Sequence, residues 1–364
     1  MSKKTIAVIF GGKSAEHEVS LVSATSVIKN LVAANFAVLL IGVSKEGNWL
    51  QGKDVIEAMK KGQNLKNYSS PQLIPSFTKN DLDNIDVFFP MIHGTYGEDG
   101  ALQGFLEMTG KPYVGAGILG SATAMDKIVM KIIIEKEGLP VSKWDYFTKN
   151  EWQKDKNSIV MRIENSLSYP LFIKPANLGS SIGINKAKNV SELEVGINEA
   201  TSFDTRILVE EAVANAREIE FAVLGNEELE ITPPGEIVSS NEFYDYDAKY
   251  VDDKSEEKIP AEFKDKEIIS KMQTVAKKAF TLLDCYGMGR VDFLVNRETE
   301  EFYINEINTI PGFTSISMYP KLWQAAGLNY QDLLQKLIFL AEAKFKTRNS
   351  LNTSYQPKKD WYSK

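Results

Sequence analysis

Asp292, Glu306 and Asn308 are the residues of this 364-residue chain whose types and spacing point most directly to chemistry. They lie in GMGRVDFLVNRETEEFYINEIN (287–308), which reads as two strands, VDFLVN and EFYINEIN, joined by the charged turn RETEE. Strand side chains alternate faces, so Asp292, Leu294 and Asn296 share one face, and Ile304, Glu306 and Asn308 share one face of the partner. A hairpin closing around residues 297–301 sets Asp292 opposite Glu306, with Asn308 one pleat further along. Opposed carboxylates repel. A divalent cation between them removes the repulsion, and two carboxylates with an amide are hard oxygen donors suited to Mg²⁺. Arg290 falls on the face of Asp292, and the Gly-containing turn TIPGFTS follows at once. The competing reading is a surface hairpin with solvated acids.

A second group of residues suits an anion. LFIKPANLGSSIGI (171–184) puts Lys174 at a strand end, then Gly179, Ser180, Ser181 and Gly183 before another strand. Small residues let backbone amides and hydroxyls approach an anion, and the lysine adds a point charge; a plain Gly/Ser hairpin is the alternative. In SAEHEVS (14–20), Glu16 and Glu18 follow the first strand and could hold an ammonium group or simply cap the next helix. His93, in PMIHGTYGEDG, belongs to the same rim, unless it is an ordinary hydrogen-bonded loop histidine. FYDYDAKYVDD (243–253) suits a mobile lid presenting Lys249 and tyrosines, with a plain surface loop as the alternative. Two glycine patterns are decoys. GGKS lacks the first glycine of a phosphate-binding P-loop, since Ala7 stands there. GAGILG (115–120) is a complete G-x-G-x-x-G, but it follows the fourth strand rather than the first, where a dinucleotide site would need it.

The elements that must position these residues alternate. TIAVIF (5–10), FAVLLIGVS (36–44), IDVFFPMIHG (85–94) and PYVG (112–115) read as strands with helices between, the first helix from about Val19 to Leu31. That order implies a parallel sheet covered on both faces. Residues 53–80, polar with Pro71 and Pro75, read as an excursion. SATAMDKIVMKIIIEKEGLP reads as one helix stopped by Gly138 and Pro140. WDYFT (144–148), the Lys174 segment, a helix near 191–200 and RILVEEAV (206–213) follow. REIEFAVLG (217–225), a helix near 265–284, the carboxylate hairpin and a helix near 330–346 complete the chain. The expected division is an N-terminal α/β domain (1–124), a small α+β central domain (125–214), a larger α+β C-terminal domain (215–346) and a polar tail (347–364).

Composition narrows the class. Hydrophobic residues make up 43% and charged residues 25%, ordinary for a globular protein. A net charge of −7 disfavours nucleic acid as a main partner, although it leaves room for a local phosphate pocket. No apolar run is long enough to span a bilayer. The basic then apolar start, MSKKTIAVIF, is too short for a secretory signal. The single cysteine, Cys285, excludes an internal disulfide. A cytoplasmic enzyme is expected.

GGKSAEHEVSL, HGTYGEDGALQG, PYVGAG, MDK, KPANLGSSIG, FYDYDAKY, GRVDF and NEINTIPGFTSISMYP, in this order and spacing, resemble the D-alanine–D-alanine ligases, ATP-grasp enzymes of peptidoglycan precursor synthesis. The resemblance covers residues 5 to about 345. It implies a three-domain ATP-grasp fold with ATP between the central and C-terminal domains. Lys127 and Lys174 would then hold the phosphates under the loop of Gly179, Ser180 and Ser181. Adenine would sit at the hinge from Glu210 through Glu211 to Val213, with Glu218 on the ribose and Lys249 at the γ-phosphate. This hinge departs from some relatives, which carry lysine where Glu211 stands, and AVANARE varies in length among them. Asp292, Glu306 and Asn308 match the family's magnesium ligands; two ions are expected, with Mn²⁺ as a substitute.

The implied reaction phosphorylates one D-alanine carboxylate and lets the amine of a second attack. Arg290 and the Gly312 N–H would steady the oxyanion. Glu16 would hold the first ammonium beside His93, and Ser317 and Met318 would meet the second carboxylate. Glu16, Ser180 and Tyr250 would tie domain, loop and lid together, with Tyr250 selecting an amine over D-lactate. A homodimer is implied. The alternatives are a D-alanine–D-lactate ligase of the same fold and an NAD-dependent oxidoreductase built on GAGILG.

Overall fold

The computed structural model describes residues 3–63, 65, 68, 77–238 and 256–355. The chain opens with β1 (Thr5–Gly11), α1 (His17–Ala33), β2 (Ala37–Val43), β3 (Trp49–Gln51), α2 (Val55–Lys60), α3 (Lys79–Asp83), β4 (Val87–Pro90) and α4 (Ala101–Met108). The strand order is β3-β2-β1-β4, with β1 parallel to both neighbours and β3 antiparallel at the edge. TIAVIF is continuously apolar because β1 is central and covered on both faces. Ile6, Val8 and Phe10 enter one core and Ala7 and Ile9 the other.

Three expectations for the first half need correcting. PYVG forms no strand; a single bridge joins Phe88 and Tyr113. Pro112 has no N–H to give a ladder, and Gly115 turns away at φ 96°. The excursion at 53–80 contains the short helices α2 and α3. The single helix expected over 121–140 is two, α5 (Ile118–Met125) and α6 (Lys127–Lys136). Asp126 breaks them apart: its backbone is extended, and its carboxylate accepts the N–H groups of Ile128 and Val129. That N-cap starts α6 at Lys127.

The middle of the chain holds β5 (Trp144–Thr148), α7 (Lys149–Lys154), α8 (Lys156–Ser166), β6 (Leu171–Pro175), β7 (Asn185–Ala187), α9 (Val190–Phe203) and β8 (Arg206–Glu211). Its four strands run β5-β8-β6-β7, antiparallel throughout. The third sheet uses β9 (Ala216–Gly225), β10 (Leu229–Ile231), β11 (Gly235–Val238), β12 (Glu256–Lys258), β13 (Gly287–Asn296) and β14 (Phe302–Asn308). Its order is β12-β11-β9-β13-β14, with β10 pairing β9. Helices α10 (Lys266–Leu282), α11 (Met318–Ala325) and α12 (Tyr330–Asn349) accompany it. Helix α12 outlasts its expected end, so residues 347–349 of the expected tail are helical.

The β13–β14 hairpin sets Asp292 opposite Glu306 and Arg290 opposite Asn308, as the alternation predicts. Beyond Asp292 the register shifts, and Phe293 pairs with Ile304. Asn305 is therefore the extra residue of a β-bulge. The expected shared face of Ile304 and Glu306 is wrong for this reason. Ile304 points into the core beside Phe293, each 1% exposed.

The cores follow the sheets unevenly. One joins the N-terminal sheet and α1 to Leu224, Met288, Phe313, Leu333 and Leu337 from the far end of the chain. A second packs α6 and α10 on the third sheet. The central sheet keeps its own, with Trp152, Ile163 and Ile197 among its members. Among the described residues no helix is long and apolar enough to cross a membrane.

Candidate active site

A cleft of about 220 Å³ lies where the Gly/Ser loop after β6 faces β9, β11, β13 and β14. Lys127, Lys174, Gly179, Ser181, Val213, Glu218, Arg290, Asp292 and Glu306 line it, with Phe172, Ile237 and Leu294 as apolar wall. A recess of about 40 Å³, sized for a small group, adjoins it and contains Glu16, Glu98, Ser180, Asn308 and Thr309. Lys127, Gly179 and Glu306 belong to both, so the two spaces share one wall.

At the hairpin, Arg290 donates from Nε to Asp292 Oδ1 (2.8 Å) and from Nη2 to Oδ2 (2.6 Å), and its Nε is 3.1 Å from Glu220 Oε2. Burial opposes the Arg290 charge, but Asp292 and Glu220 outweigh it and hold the guanidinium well above its ordinary pKa. Asn308 Nδ2 donates to Asp292 Oδ2 (2.9 Å), and Lys127 Nζ lies 3.7 Å from Glu306 Oε2. Among the described residues no three His, Cys, Asp or Glu side chains cluster to hold a metal. A cation here would take two carboxylates and the Asn308 amide, leaving its other positions to ligand oxygens and water. That donor set fits Mg²⁺, which keeps much of its shell for water and phosphate.

The lysines are held by protein groups. Lys127 Nζ donates to the Leu178 carbonyl at 2.7 Å. Lys174 Nζ sits 2.5 Å from Glu210 Oε1 and donates to Asn305 Oδ1 at 3.0 Å. The bulge thus aims Asn305 into the cleft, a position that two-residue alternation assigns to the other face. Behind them lies a lysine the sequence reading missed. Lys131 Nζ is 2.7 Å from Glu210 Oε2 and donates to Ser142 Oγ (3.1 Å), which in turn donates to Glu210 (2.8 Å). Burial alone would raise the Glu210 pKa, but Lys131 and Lys174 overcome it and hold the carboxylate ionised. The Glu210 side chain is thus consumed by lysines. Glu211 turns to the Ser168 N–H (2.9 Å), outside the cleft wall, while Val213 and Glu218 line it.

In the recess, Ser180 Oγ donates to Glu16 Oε1. Glu16 occupies the N-cap position of α1, yet its side chain makes no capping bond. The carboxylate instead fits where glycines make room: a Cβ on Gly94 would sit 2.5 Å, and on Gly179 3.1 Å, from Glu16 Oε2. Glu18 does not share the site; it pairs with Lys45 on the surface. Ser180 and Ser181 both have left-handed backbones, φ 52° and 58°, a conformation that costs non-glycine residues energy and concentrates at ligand clamps.

His93 is buried and does not line the recess. Its Nδ1–H donates to the Ile310 carbonyl (2.9 Å) and its Nε2 accepts from Ser23 Oγ (3.1 Å). Burial lowers its pKa, which suits this neutral tautomer. Glu98, also missed in the sequence reading, accepts N–H groups from Gly94 (2.7 Å) and Ile310 (2.9 Å). Gly312 lies close to Ser317, where an added Cβ would come 2.8 Å from Oγ. Ser317 Oγ accepts the Thr314 N–H (3.0 Å) at the start of α11. The Met318 side chain is buried against Gly235, so only its backbone can meet a ligand. Lys249, Tyr250 and the expected lid lie outside the described residues. GAGILG contributes nothing to either space; Gly120 packs so tightly on Asp284 that a Cβ would come 2.3 Å from its carbonyl oxygen.

Residues 5–116 match the family described as "D-ala D-ala ligase N-terminus", and residues 133–339 match "D-ala D-ala ligase C-terminus". The chain is 46% identical over 365 aligned residues to the D-alanine–D-alanine ligase of Natranaerobius thermophilus, covering 98% of this chain and 99% of that one. It is 48% identical to the ligase of Ruminiclostridium cellulolyticum, covering 94% and 96%. The solved D-alanine–D-alanine ligase of Coxiella burnetii superposes with TM-score 0.79 at 33% identity, covering 96% and 98%. The VanG D-Ala:D-Ser ligase of Enterococcus faecalis superposes with TM-score 0.80 at 36% identity, covering 93% and 100%. With both halves matched and the neighbours superposing over nearly the whole chain, the chain belongs to the D-alanine–D-alanine ligase family and has its three-domain ATP-grasp fold.

Proposed function

We propose that the protein joins two D-alanines into D-alanyl-D-alanine at the expense of ATP, through a D-alanyl phosphate. The observation that carries this is the wall of Lys127, Gly179 and Glu306 shared by a long cleft and a small recess. A phosphoryl group reaching that wall from the cleft meets a carboxylate presented from the recess.

In this reading the apolar wall around Phe172 and Leu294 takes adenine beside Val213, with Glu218 on the ribose. Lys127, Lys174 and the backbone of Gly179 to Ser181 orient the phosphates. Asp292, Glu306 and Asn308 would hold magnesium, as two ions, which neutralises the transferring phosphoryl group. Glu16 takes the ammonium of the first D-alanine. Arg290, kept cationic by its carboxylate neighbours, and the Gly312 N–H face the oxyanion. The start of α11, at Ser317 and the Met318 N–H, is an anion site for the carboxylate of the second. Lys249 would serve the γ-phosphate and Tyr250 the Glu16–Ser180 pair, as the resemblance implies, and excluding water there protects the acyl phosphate. Domain limits of 1–124, 125–214 and 215–346 put the cleft between the last two. A cytoplasmic homodimer completes the proposal.

The test is D-alanine with Mg-ATP, the product identified by mass and phosphate release counted. The expected product is D-alanyl-D-alanine. D-serine and D-lactate compete as second substrates in parallel, because a D-Ala:D-Ser ligase is among the structural neighbours. A mixed product as the main species overturns the stated specificity. Glu306→Gln removes a charge the cation needs and should lower kcat on the order of 10²-fold. Near-normal turnover of this variant at saturating Mg²⁺ removes Glu306 from the metal site.

A further inference from the structure

Lys131 lies in α6 with its side chain 1% exposed, and it lines neither the cleft nor the recess. A lysine buried so completely is costly and must be paired. Its partner Glu210, 2% exposed, stands between two ammonium groups: Lys131 on one oxygen and Lys174 on the other. Burial works against the Lys131 ammonium and Glu210 works for it, so a single carboxylate serves two lysines that both draw on it. Of the three only Lys174 faces the cleft.

Consider Lys174 moving from Glu210 toward a phosphate. With Lys131 and Ser142 in place, Glu210 keeps an ammonium and a hydroxyl, and Lys174 leaves no stranded charge behind. Without Lys131, Lys174 becomes the only counter-ion of a buried carboxylate, and drawing it away costs the full price of an uncompensated buried charge.

We propose that Lys131 is a positioning residue for nucleotide phosphates, acting by holding Glu210 so that Lys174 is free to exchange between Glu210 and a phosphate. This rests on the ATP reading of the cleft. It predicts a defect confined to the phosphate part of the ligand.

Titration calorimetry with ATP and with adenosine, both without D-alanine, gives the ratio of their affinities for each variant. The wild type should favour ATP. K131M should lower that ratio about tenfold or more, the loss of one charge contact, with adenosine affinity little changed. K131R should keep the ratio. K131M/E210M should recover it, because Lys174 is then released from its lone carboxylate. A structural role alone would move the ATP and adenosine affinities together and leave their ratio unchanged in K131M. An unchanged ratio in K131M, or a double variant no better than K131M, overturns the proposal. Should K131M fail to fold, S142A reads the same ratio through the second support of Glu210, with a smaller fall expected and none overturning the proposal. A wild type that fails to prefer ATP over adenosine overturns the ATP reading itself, and is recognised before any variant is compared.

Discussion

Glu98, next to Glu16, makes the stability of the fold depend on pH. It is buried, and burial followed by the charge of Glu16 pushes its carboxyl up to about 8. Between the ordinary value of 4.5 and about 8, the folded protein holds a proton that the unfolded chain has released. Stability therefore falls as pH rises through that window. Glu98→Gln should flatten the dependence, at a cost of about 1 kcal/mol because the amide nitrogen cannot accept one of the two N–H bonds. Denaturant titrations at pH 5, 6.5 and 8 decide it; parallel curves for wild type and variant mean that Glu98 does not titrate there. The residues read from sequence were those with a local signature. Asp292, Glu306 and Arg290 follow strand alternation, and Glu16 follows a strand end. Lys131 and Glu98 had none. KIVMKIIIEK presents Lys131 as one more lysine on an amphipathic helix, and the carboxylate that buries it arrives from β8.

At the scale of elements, the bulge in β14 is the feature alternation could not give. Period-2 reading holds while a ladder is regular, and it set Asp292 against Glu306 correctly. The extra residue then reverses the phase, sending Ile304 inward and turning Asn305 toward Lys174. Deleting Asn305 should leave a regular hairpin, with Glu306 still opposite Asp292 and Ile304 still opposite Phe293. The deletion variant is expected to fold with an unchanged circular dichroism spectrum but to lose about tenfold in kcat/KM for ATP, the equivalent of one charge-assisted hydrogen bond. A wild-type rate from a folded deletion variant removes Asn305 from the site. The split of the helix at Asp126 had a local cause that was readable, since an aspartate before KIVM is a capping signal. Continuous apolar periodicity on both sides masked it.

Over the whole molecule, the cores set which parts stand or fall together. Leu337 in α12 belongs to the core under the N-terminal sheet, whereas Ile163 in α8 lies in the separate core of the central sheet. Each is fully buried, so truncation to alanine should cost about 2–5 kcal/mol locally. Hydrogen exchange locates the damage. Ile163→Ala should speed exchange in β5, β6 and β8 while β1, β9 and β13 stay protected. Leu337→Ala should loosen β1 and β9 together. Uniform loss of protection in both variants contradicts this division. The strand-and-helix alternation of the first half was legible because buried parallel strands are written as apolar runs. The sharing of one core between opposite ends of the chain was not, since no local pattern encodes it.

Two families match this chain side by side, one over residues 5–116 and one over 133–339, and that invites exchange of halves between relatives. Hydrogen bonds cross the boundary between the two halves. The loop after β14 gives its Ile310 carbonyl to His93, its Ile310 N–H to Glu98 and its Phe313 N–H to Ser23. All three partners come from the first half. A chimaera keeps these three bonds only where its first half presents Ser23, His93 and Glu98 to residues 309–313 as this chain does.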